Sequence, residues 1–115
     1  MRIKVESNED SLELNESIIK AQVAGIKYEF ELSRIEAVFI ITTDLGPIYD
    51  DMCLAIRFDH ENDLFIMSEH PDYKVFLFDQ LGKKINLDYD QIIAASTCVE
   101  NNIFKIYVSN EKRRV

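Results

Sequence analysis

Thr42-Thr43-Asp44-Leu45-Gly46-Pro47, followed by Asp50 and Asp51, gathers two hydroxyls and three carboxylates around one loop of this 115-residue sequence. Carboxylates and hydroxyls on one loop are the donor set of a hard cation or a polar ligand. Thr42, Thr43, Asp44, Asp50 and Asp51 are therefore the candidate ligand-binding residues. A structural reading competes with that one. Aspartate and threonine side chains bond a loop's own backbone, and Asp, Gly and Pro together mark a turn.

Asp59, Glu61 and Asp63 alternate as a calcium loop does. Leu64 stands where that loop needs glycine, and His70 where its bidentate glutamate belongs, so a hairpin turn is expected. His60 and His70 are the only histidines, and no HExxH or HxH spacing links them to a zinc site. Neither Cys53 nor Cys98 lies in a CxxC pair. GxSxG, a phosphate-cradling glycine loop and a dinucleotide fingerprint are all missing, and three glycines leave little material for such loops. No catalytic residue, metal ligand or cofactor is assigned. Cys53 or Cys98 paired in space with a histidine is the one nucleophilic alternative to a non-enzymatic protein.

Thirteen basic and 21 acidic residues give a net charge of −8. Such a field repels phosphate backbones and anionic membranes, so neither nucleic acid nor membrane is an expected partner. The basic cluster Lys112, Arg113 and Arg114 reads as a solvated end. No apolar run approaches the length of a membrane span. Cys53 sits in the apolar run Met52-Cys53-Leu54-Ala55-Ile56 as a small core residue, and two thiols suit a reducing compartment. Met1 is followed by Arg2-Ile3-Lys4-Val5, which is not an apolar leader. A cytoplasmic protein of one domain, residues 1–115, is the expectation.

The elements follow from periodicity. Ser17 to Ala24 and Lys27 to Leu32 alternate about Gly25 as an antiparallel hairpin, with Ile19, Ala21, Val23, Tyr28, Phe30 and Leu32 inward. Ser11 to Leu14 reads as a short edge strand before them. Arg34 to Thr42 is apolar on both faces: Ile35, Ala37, Phe39 and Ile41 on one, Val38 and Ile40 on the other. Such a strand should be central and covered on both sides. Met52 to Phe58 and Leu64 to Met67 form the next hairpin. After Pro71 the period changes. Tyr73, Phe76, Leu77 and Leu81 share a helical face, with Gly82 placed as a C-terminal stop. A hairpin about Gly82-Lys83 competes with this helix. Asp88 can cap a second helix over Tyr89 to Ala95, and Ile103 to Val108 is a final strand. Phe39, Phe65, Phe76 and Phe104 are core candidates. The fold class is α+β: an antiparallel β-meander of about six strands, with one or two helices packed on one face late in the chain.

The stretch Ile40-Ile41-Thr42-Thr43-Asp44-Leu45-Gly46-Pro47, with Asp50-Asp51 opening the next apolar run, resembles a group of small uncharacterised bacterial domains with a TTDxGP-type loop at a strand end. Glu69-His70-Pro71-Asp72-Tyr73 is similar to the helix entry of related short proteins. The resemblance covers residues 34–81. It implies a fold and a bacterial origin, and carries no activity. The acidic charge, the missing catalytic signatures and the aromatic-rich strands point to a protein-interaction module or a homo-oligomer subunit. An immunity-type antagonist that masks a basic toxin surface is a special case. The alternative is a small-ligand or divalent-cation binding domain centred on the Thr42–Asp51 loop.

Overall fold

A computed structural model describes residues 1–43, 52–59 and 62–109. In chain order these form β1 (Arg2–Val5), β2 (Ser11–Asn15), β3 (Ile18–Val23), β4 (Ile26–Glu31), a 3-10 turn (Leu32–Arg34), β5 (Ile35–Thr42), β6 (Met52–Phe58) and β7 (Asn62–Met67). A π-helix (Val75–Leu81) then runs into α1 (Gly82–Lys84), followed by α2 (Tyr89–Thr97) and β8 (Asn102–Val108). The strands make two sheets, a three-stranded β2-β3-β4 meander and a five-stranded sheet of order β1-β7-β6-β5-β8. The α+β class and the late helices hold. The single antiparallel meander of about six strands does not. The described residues hold eight strands, and β1 runs parallel to β7. Four residues are too few for a period of two to stand out, so β1 was not foreseen.

Alternation builds the small sheet. Leu12, Leu14, Ile19, Ala21 and Phe30 turn inward and are buried, while Glu13, Lys20 and Glu29 stand on the solvent side. Ala24 (φ 52°) and Gly25 (φ 81°) close the β3–β4 hairpin, with Val23 paired to Ile26. Two left-handed residues in succession match the right-handed twist of the strands they join. The small sheet lies against one face of the large one, where Phe30 stacks on Phe58 with ring centroids 4.3 Å apart and planes 9° from parallel.

The helix after Pro71 is present, and Tyr73, Phe76, Leu77 and Leu81 are its buried residues, as the spacing predicts. Burial pushes the Tyr73 phenol up to about 12. The winding is π rather than α, and the Gly82 N–H donates to the Leu77 carbonyl. Apolar residues at 73, 77 and 81 share a face under either winding, so spacing could not choose between them. Gly82 is not a left-handed stop. Its φ is −63°, and a Cβ there would lie 2.7 Å from the Tyr89 hydroxyl. Two polar side chains dock this helix on the outer edge of β2. Asp72 Oδ2 accepts from the Leu12 N–H at 3.1 Å, and Gln80 Oε1 from the Leu14 N–H at 2.8 Å. An edge strand so covered offers no free ladder to another chain. Asp88 caps α2 as expected, its carboxylate accepting from the Gln91 N–H at 3.2 Å.

β5 lies between β6 and β8, so its central place is as expected. Its faces are not. The pairing register shifts between Ile35 and Ala37, and the irregularity turns Ile35 to the same side as Val38, Ile40 and Thr42. A bulge of this kind displaces every later side chain by one position. The small sheet and the helices all bury their apolar residues on that side, in one core with Ile56, Phe58, Leu64 and Ile106. The helices therefore do not cover the second face of β5.

Candidate functional site

Thr42 ends β5 on the core side and is 3% exposed. Its hydroxyl donates to the Glu100 carbonyl at 2.7 Å, with Cys98 Sγ at 3.6 Å. The hydroxyl thus ties β5 to the turn that leads into β8. Thr43 follows at a partly exposed position. Asp44, Asp50 and Asp51 lie outside the described residues, as do His60 and Glu61. Thr42→Val is expected to cost about 1 kcal/mol in a urea titration, because the Glu100 carbonyl loses its short bond and keeps only the Cys98 thiol at 3.5 Å. A cost near zero would release the hydroxyl for another role.

The remaining polar candidates are structural. His70 is buried, and its Nε2–H is shared between the Ser7 and Asp10 carbonyls, both at 3.0 Å. Its Nδ1 accepts the Asp72 N–H at 3.0 Å. Both ring nitrogens are spent on backbone groups, so neither is offered to a metal or a ligand. Asp59 pairs with Arg34 across the hairpin end. Among the described residues no three His, Cys, Asp or Glu side chains are placed to hold a metal ion.

What the fold does assemble is a surface. The outer face of the five-stranded sheet presents three rows, read across β1, β7, β6, β5 and β8 in turn. The first is Arg2, Asp63, Arg57, Ala37 and Val108; the second is Lys4, Phe65, Ala55, Phe39 and Lys105. In the third, Met67, Cys53, Ile41 and Ile103 run from β7 to β8. Phe39, Ile41, Ala55, Phe65 and Ile103 line one open depression of about 220 Å³ with Arg2, Arg57 and Asp63. None of these five belongs to the core cluster, although Ala55 is buried beneath its larger neighbours on this face, and Ile103 is 62% exposed. Phe39 and Phe65 are therefore not core residues. Among the described residues, no helix or strand packs on this face.

The charges sit at the border of the patch. Arg57 grips Asp63 through two bonds, Nε at 2.9 Å and a terminal nitrogen at 3.2 Å. That hydrogen bonding holds the Asp63 carboxyl below its usual value against partial burial, with Arg2 and the N-terminal ammonium adding to it.

No protein-family model, curated protein or solved structure matches this chain.

The surface must therefore be read from its own chemistry. One sequence signal did point to it, since β5 is apolar on both faces. The missing step was that the bulge and the late helices place all cover on one side.

Proposed function

We propose that this chain is a non-enzymatic protein-interaction module of the bacterial cytoplasm that docks its partner on the outer face of the five-stranded sheet. One observation carries the reading. Phe39, Ile41, Cys53, Ala55, Phe65, Met67 and Ile103 form a contiguous apolar field that no described element covers. Contiguous apolar surface rimmed by charge is the composition of a protein interface. Two flat aromatic rings at its centre supply the anchors such interfaces use. No helix among the described residues is long and apolar enough to cross a membrane.

A photoreactive residue at position 103, at the rim of the field, tests this in the full chain inside cells. It should crosslink one discrete protein, and Phe39→Glu should abolish the product. The same probe at Lys20, on the solvent side of the small sheet, should give none. Equal products from both positions, or no effect of Phe39→Glu, would sink the reading.

A further inference from the structure

We infer that the partner surface received on this sheet is acidic, an apolar protein patch bordered by carboxylates. The inference rests on the docking role proposed above and adds the chemistry of the occupant.

The chain as a whole carries −8, yet the field is framed by Arg2, Lys4, Arg57 and Lys105. Asp63 stands among them in an ion pair with Arg57, and Glu36 also acts on that arginine, so the cations left to face a partner are Arg2, Lys4 and Lys105. Lys4 and Lys105 bracket the central row, one at each edge strand, with Phe65, Ala55 and Phe39 between them. Lys105 has no ion-pair partner among the described residues. Lys4 meets Glu6 at 3.5 Å with both side chains more than half exposed, a contact that contributes little and is readily exchanged. A local excess of cations around apolar surface, on an otherwise acidic protein, steers and orients carboxylates.

The same register argues against a second copy of the chain. Sheets stack about 10 Å apart. A two-fold axis along β6 would place Lys4 opposite Lys105 of the other copy and Arg57 opposite Arg57. A two-fold axis along the central row would set Lys4 on Lys4 and Lys105 on Lys105. Either arrangement meets like charges at the border of a drying patch, which is how interfaces reject a wrong partner. An anionic membrane would satisfy the same cationic frame, and the vesicle arm of the test separates it from a protein.

Three fluorescent amphipathic peptides with the same leucine face test the inference, their polar faces built from Glu, Gln or Lys. In anisotropy titrations of the full chain at low salt, the Glu peptide should bind about tenfold more tightly than the Lys peptide. The gap should close at high salt. Lys4→Glu combined with Lys105→Glu, both at exposed positions, should reverse the order, and Phe39→Glu should remove binding of all three. Equal binding of the three peptides, or preference for Lys, overturns the acidic partner and leaves the docking face standing. No binding of any peptide overturns both. A dimer in sedimentation that Phe39→Glu dissolves gives the face to a second copy. Co-sedimentation with phosphatidylserine vesicles that survives the peptides gives it to a membrane. Either result overturns the inference.

Discussion

Phe58→Ala is expected to lower the unfolding free energy by about 3–5 kcal/mol, and Phe39→Ala by about 1–2 kcal/mol. The two residues lie on neighbouring strands of one sheet and point to opposite sides of it. Phe58 is 1% exposed and stacks on Phe30, so its truncation leaves a cavity between the two sheets and removes an aromatic pair. Phe39 is partly exposed and outside the core, so water fills the place of its ring and no cavity term arises. Urea titrations of both variants measure the contrast. Equal costs would mean that the outer face is packed in the isolated protein. A midpoint that rises with protein concentration would then identify self-association as the cause.

Much of the fold was legible because its rules are local. Tyr28 and Phe30 against Glu29 and Glu31 fixed the β3–β4 hairpin. Pro71 with the spacing of Tyr73, Phe76, Leu77 and Leu81 favoured a helix over a hairpin about Gly82-Lys83 and marked its buried face. Asp88 fixed the start of α2. What stayed hidden depended on contacts between distant parts of the chain. β1 is four residues long and gains its identity from pairing with β7. The irregularity at Ile35–Ala37 reassigned the faces of β5, and nothing in the local pattern marks it. Of the candidate site, Thr42 and its neighbours were conspicuous for their polarity. The outer face was visible only as surplus apolar residues, which sequence reasoning gives to a core by default.

This bears on how an interaction surface is found in an acidic chain without motifs. Net charge alone suggested a basic partner. The sheet register reverses that suggestion for the outer face, because Arg2, Lys4, Arg57 and Lys105 converge there from three strands. Residues so far apart in sequence acquire a common field only through strand order. Global charge governs how the chain approaches a partner, and the local frame governs which surface it accepts.

The second large effect is expected at Asp10, which holds three turns together. Its carboxylate accepts the N–H groups of Ser7 and Glu6 at 3.1 and 3.3 Å, and that of Ala24 at 3.1 Å. Its own carbonyl accepts from His70 at 3.0 Å. The β1–β2 turn, the β3–β4 turn and the helix entry thus meet at one residue. Burial pushes the carboxyl up, but the three backbone N–H bonds outweigh it and hold it below its ordinary value of 3.8. A carboxyl whose folded value is depressed stabilises the fold above its unfolded value, and that stabilisation is lost as pH falls through the folded one. Asp10→Ala should therefore cost about 2–4 kcal/mol at neutral pH, because three part-buried donors lose their acceptor. Asp10→Asn keeps the shape but turns an amide N–H₂ toward one of those donors, and should cost about 1–2 kcal/mol. The gap between wild type and Asp10→Asn should narrow once the pH falls from neutrality to below 3.8, the ordinary carboxyl value, and the wild-type carboxyl takes up its proton. Urea titrations of all three proteins at both pH values decide the point. A gap that stays constant with pH would show that the ionised carboxylate is not what joins these turns.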